Sequence, residues 1–161
     1  METACRLAGI CKSQTQAEVS KVFNRLKQEL GHELFKRLFE VILTDNGTEF
    51  QHREALENDE NGKKLIDIYY CDPYRSNQKG ALEKNHEYIR YVKPKGSSFA
   101  DMTEDKTKLL MNHINSEKRD SLNQHSPFEL SQLLLDNRLH EVIGLIRIEP
   151  DDVNLTPELL K

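Results

Sequence analysis

The chain has 161 residues and a net charge of −4, with 37% of its residues hydrophobic and 31% charged. That length fits one domain with a modest core, and the acidic balance argues against a protein coated throughout in nucleic acid. No apolar run reaches the roughly 18–20 residues of a membrane span, and no charged-then-apolar leader is present. Three cysteines without metal-like spacing, Cys5, Cys11 and Cys71, fit a reduced cytosolic setting.

In chain order, residues 3–11 read as a strand. Ser13 is placed to cap a helix. Ala17, Val19, Val22, Phe23, Leu26 and Leu30 then recur at mostly helical spacing through 14–30, and Gly31 is suited to end the helix. A short helical turn over 33–39 precedes a strand over 40–44 that contains the apolar run Val41-Ile42-Leu43. Asn61-Gly62, within 57–64, signals a turn between strands. Residues 65–71, rich in Ile and Tyr, read as the next strand, which Pro73 stops. A helix is expected over 80–92, ending ahead of Pro94 because the residue before a proline avoids helical backbone angles. Thr103 suits the N-cap of a helix reaching about 115. Pro127 suits a helix start, with Leu130, Leu133 and Leu134 following, and 138–143 reads as a short helix. The tail sets Glu149, Asp151, Asp152 and Glu158 against Lys161 and reads as irregular until Pro157. The expected division is a core over 1–148 and an acidic C-terminal tail over 149–161.

Two segments carry the chemistry. Thr44-Asp45-Asn46-Gly47-Thr48-Glu49-Phe50 puts a carboxylate at the end of an apolar run. Cys71-Asp72-Pro73-Tyr74-Arg75-Ser76-Asn77-Gln78-Lys79-Gly80-Ala81-Leu82-Glu83 puts another one turn into the helix that opens after Gly80. Carboxylates brought together in this way hold Mg²⁺ through oxygen ligands, and divalent ions so held serve to cut and join phosphodiesters. Basic charge gathers at the same place. Residues 75–95 hold Arg75, Lys79, Lys84, Arg90, Lys93 and Lys95 against only Glu83 and Glu87, where phosphate would have to lie.

Both segments resemble the catalytic core of retroviral-type integrases and of the bacterial insertion-sequence transposases that share it. Asp45 matches the second Asp of that family's Asp-Asp-Glu triad, Glu83 matches its Glu, and Arg90 stands where a basic residue follows the Glu. Met111-Asn112-His113-Ile114-Asn115 and Ser126-Pro127-Phe128-Glu129-Leu130 look like the end of the same core. The resemblance runs from about residue 3 to the C-terminus. It implies an α/β fold, a ribonuclease-H-like integrase core with extra C-terminal helices, and a nucleic-acid enzyme that hydrolyses and transfers DNA strands with Mg²⁺ or Mn²⁺. Asp45 and Glu83 would be catalytic metal ligands with oxygens roughly 4–6 Å apart. Lys79, Lys84, Arg90, Lys93 and Lys95 would face DNA phosphate. The partners implied are transposon ends and target DNA, in a bacterial, cytoplasmic, nucleoid-associated setting.

No Asp precedes Asp45; the upstream acids are Glu2, Glu18, Glu29, Glu33 and Glu40. The chain is therefore expected to begin at the family's third strand, N-terminally truncated, without the first two strands and the first Asp, and to be inactive alone while its intact parent is a transposase. The alternative is a non-catalytic segment that binds DNA or self-associates and so modulates an intact transposase. Missing strands would leave edges at 3–11 and 40–44, which recruit a second chain as a homodimer or pair directly with each other.

Plainer readings stand beside these. Asp45-Asn46-Gly47 is also a common turn sequence. Glu83 is also an ordinary helical glutamate, with Glu87 on the same face. The lysines and Arg90 also fit a solvated basic face. His86 and His113 read as surface or packing residues rather than ligands.

Overall fold

The computed structural model describes residues 15–44, 47–70 and 80–161. These form two compact units, one over 15–70 and the other over 80–161. Among the described residues the architecture is mixed α/β, with a two-stranded parallel sheet and a majority of helix. The strand expected at 3–11 and the cap expected at Ser13 lie outside the described residues.

The first unit opens with α1 (Gln16–Leu30), capped by Thr15, whose hydroxyl accepts from the Glu18 N–H. Gly31, at φ +76°, ends the helix, a backbone angle that glycine adopts at no steric cost. α2 (His32–Leu38) follows directly, and β1 (Val41–Thr44) runs where the apolar triplet predicts a strand. β1 pairs in parallel with β2 (Asp67–Tyr70), in the register Val41↔Asp67 through Thr44↔Tyr70. Parallel neighbours need a crossover, and here it contains a 3₁₀ turn at Thr48–Phe50 and the short helix α3 (Arg53–Glu57). The Asn61-Gly62 turn is closed by an isolated Asn58↔Lys64 bridge. It joins a helix to a strand, not two strands, because α3 precedes it. Leu26, Leu30, Phe35, Leu56, Leu65, Ile66 and Ile68 are buried.

Two buried charges complete this unit. Lys27 donates from Nζ to the Asn58 carbonyl at 2.7 Å and lies 5.9 Å from the Phe35 ring centroid. Glu57 is reached by the main chain of β2. Asp67 N–H donates to Glu40 O towards β1, so the next N–H along a pleated strand points the other way. That N–H, on Ile68, donates to Glu57 Oε1 at 2.8 Å, and Arg53 Nε reaches the same oxygen at 2.7 Å. The outward N–H of Ile68 is thereby satisfied by a side chain in place of another strand.

The second unit contains α4 (Gly80–Val92), α5 (Glu104–Ser116), α6 (Pro127–Leu134) and α7 (Asn137–Ile143). The bounds of α4 are those predicted. Thr103 caps α5, accepting from Lys106 N–H. Ser126 and Glu129 form a reciprocal capping box ahead of Pro127 at the start of α6. The core is Tyr88, Val92, Leu110, Met111, Ile114 and Leu160, with Leu155 and Leu159 packed against it. The acidic tail is therefore part of the packing: 3₁₀ turns at Pro150–Asp152 and Pro157–Leu160 carry its leucines onto α4 and α5. Among the described residues, no helix is long and apolar enough to cross a membrane.

Candidate nucleic-acid interface

β1 ends at Thr44, one residue before Asp45, and α4 begins at Gly80 and runs through position 83. Asp45 and Lys79 lie outside the described residues, and for Glu83 the structure describes the backbone alone. Among the described residues no group of three or more His, Cys, Asp and Glu is gathered as a metal would require. The pair expected from the sequence, Asp45 and Glu83, would offer oxygen ligands of the kind that hard divalent cations take.

The basic residues of α4 and the following turn divide into two kinds. Lys84 is paired with Glu87 at 2.7 Å and lies 5.3 Å from the Tyr88 ring centroid. Glu87 also accepts from Tyr91 Oη at 2.5 Å. The hydrogen bonds from Lys84 and Tyr91 hold the Glu87 carboxyl below the usual carboxylate range. Glu87, one turn beyond Glu83, is thus engaged with its own helix. Lys93 is only 13% exposed at its side chain; it donates to Ser98 O at 2.9 Å and to Asp101 Oδ1 at 2.6 Å. Arg90 and Lys95 differ from both. They are exposed and have no ion pair among the described residues. Of the predicted phosphate contacts on described residues, these two leave their full charge to solvent.

The later resembling stretch, 111–115, with Ser116 after it, has a structural use. Three polar side chains of α5 receive the main chain that returns past it. Asn112 Oδ1 accepts from Ile146 N–H at 3.1 Å, Ser116 Oγ from Ile148 N–H at 2.9 Å, and His113 Nδ1 from Asn154 N–H at 3.1 Å. Burial pushes the His113 imidazole pKa down, with Asp152 opposing. His113 is a packing residue, as expected. His140 is buried too, 2.9 Å from Ser131 Oγ and stacked on Phe128, and burial lowers its pKa as well. The signal available in the sequence was the interleaving of Asn112, His113, Asn115 and Ser116 with the apolar Leu110, Met111 and Ile114.

The likeness to known proteins points to one class, the insertion-sequence transposases, and supports a transposase family for this chain. The chain is 35% identical over 94 residues to the transposase for insertion sequence element IS4351 of Bacteroides fragilis, covering 58% of this chain and 28% of that protein. It is 28% identical over 72 residues to the transposase for insertion sequence element IS1086 of Cupriavidus metallidurans, covering 45% of this chain and 21% of that protein. The chain spans about a quarter of the length of these curated relatives. No family model matches it. No solved structure matches it either.

Proposed function

We propose that this chain is a DNA-handling segment of an insertion-sequence transposase with a ribonuclease-H-like integrase core, in which Asp45 and Glu83 are ligands of one Mg²⁺ or Mn²⁺ and Arg90 and Lys95 bind DNA phosphate. The observation that carries this reading is helix α4. It opens at Gly80, holds position 83 in its first turn, and presents exposed Arg90 seven residues later. Residues seven apart fall on one helical face, so carboxylate and guanidinium would approach the same DNA backbone. A divalent ion bound there would supply charge stabilisation and an activated oxygen nucleophile. The contacts of Arg90 and Lys95 would be indifferent to base sequence, because phosphate carries none. With only two of the three acidic ligands in these 161 residues, metal binding is weak and strand transfer by the chain alone is absent.

Electron paramagnetic resonance of Mn²⁺ tests the metal assignment. Asp45→Asn and Glu83→Gln should each remove the bound fraction, and Glu87→Gln should not. Equal binding in all three variants would contradict the assignment. A second reading, a self-associating DNA-binding segment without catalysis, is favoured by the large apolar side chains on the surface of the second unit: Leu133, 77% exposed, and the exposed Leu134 and Ile146.

A further inference from the structure

The turn after α4, residues 93–99, holds an aromatic ring in the open. Phe99 is 56% exposed and is not among the residues packed on the core of its unit. Single exposed apolar residues are ordinary; this one stands on a backbone held by hydrogen bonds. Lys93 Nζ bonds the carbonyl of the preceding residue, Ser98, and lies 5.9 Å from the Phe99 ring centroid. Ser98 Oγ accepts from Ala100 N–H at 3.1 Å, and Met102 N–H donates to Phe99 O at 3.0 Å. The backbone is thus held on both sides of the ring. Asp101 neutralises Lys93, which leaves Lys95 as the open charge of the turn. Gly96, next after Lys95 in the chain, has φ +91° and open space where a Cβ would stand, so another chain's backbone could approach closely there.

We propose that Phe99 is a stacking platform for an unpaired DNA base, with Lys95 taking the phosphate beside it. The ligand class is single-stranded DNA, such as the unpaired end of a processed strand. This rests on the reading of the chain as a DNA-binding segment and adds which form of DNA the turn prefers. An exposed aromatic on a held turn that also carries an open cation is the arrangement that binds single strands without sequence preference, because every base has a π-face. A duplex offers no free face to the ring and engages Lys95 alone.

The test is fluorescence anisotropy of the 161-residue chain with a labelled oligothymidine and with a duplex of equal length, at low and moderate salt. Phe99→Leu keeps the apolar volume and removes the ring. It should weaken single-strand binding about tenfold, the size of one base–aromatic stack, and leave duplex binding within about twofold. Phe99→Trp should restore the single-strand affinity. Lys95→Gln should weaken both and lower the salt slope by about one ion. Phe99 lies outside the core, and circular dichroism checks that each variant is folded. Wild-type binding to oligothymidine that Phe99→Leu leaves unchanged would overturn the platform while keeping the DNA-binding reading. Wild-type failure to bind either DNA at low salt would overturn both.

Discussion

In residues 15–70, buried full charges meet the main chain: Lys27 on the Asn58 carbonyl and Glu57 on the Ile68 N–H. In residues 80–161 the N–H groups of Ile146, Asn154 and Ile148 are received by the neutral side chains of Asn112, His113 and Ser116, and the buried charge that meets the main chain is a donor, Arg119 Nη2 on the Ile114 carbonyl at 3.2 Å. A charge makes the stronger hydrogen bond, but it needs opposite charge nearby once water is withdrawn. Glu57 keeps Arg53 at 2.7 Å and Lys64 at 3.7 Å, and Asp59 and Glu60 offset part of the burial that lowers the Lys27 pKa. Neutral acceptors need no such company, so α5 can enclose them. Buried polar atoms without a partner occur in both units, Gln16 Nε2 being the one in the first among the described residues. In the second unit the carboxamide oxygens of buried Asn85 and Asn115, and Nε of Arg119, have no hydrogen-bond partner among the described residues, and groups of this kind cost free energy when buried.

The contrast predicts the largest single effect at Glu57. Glu57→Ala strips the acceptor from Ile68 and leaves Arg53 facing an uncharged site. It should destabilise the protein by about 3 kcal/mol, read as a lower urea midpoint, while Glu57→Gln, which keeps an acceptor, should cost clearly less. Equal losses for both would mean that a neutral acceptor recovers nothing and that the whole effect lies in the charge. Asn112→Ala removes a neutral acceptor of the second unit and should cost about 1 kcal/mol. A loss matching that of Glu57→Ala would erase the distinction drawn between the units.

The gentlest probe is pH. Burial holds the folded-state pKa values of His113 and His140 below their ordinary 6.5. As pH falls below 6.5, the unfolded chain takes up those protons first, so stability is full above that value and is lost progressively beneath it. Protonation at Nδ1 would also turn the His113 acceptor for Asn154 into a donor. In His113→Gln, which can keep an acceptor but cannot titrate, the acid loss between pH 6.5 and 5 should shrink, as measured by thermal melts. An unchanged pH profile would place the acid sensitivity on other groups.

The sequence was most legible where a local signal has one meaning. Gly80 and Pro94 frame α4, Thr103 caps α5, and the run from Val41 to Leu43 is a strand. It was least legible where partners are distant. α3 is five residues long, too short for a periodic signal, so Asn61-Gly62 reads as a hairpin when its first arm is helical. The tail's acidity conceals Leu155, Leu159 and Leu160, which join the core through contacts with α4 and α5. Among the basic residues, the Lys84–Glu87 pair is foreseeable from its i,i+3 spacing. The Lys93–Asp101 pair depends on a turn that only the fold supplies, and that turn is what separates Lys93 from Lys95.

The measurement that tests the central claim most directly is metal-directed cleavage of the chain. Fe²⁺ in place of Mg²⁺, with ascorbate and peroxide, cuts peptide bonds next to the bound ion. The account predicts two clusters of cuts, near Asp45 and near Glu83, both suppressed by excess Mg²⁺ and both lost in Asp45→Asn. Cuts near only one of the two, or two clusters of which Asp45→Asn removes just its own, would contradict a shared ion.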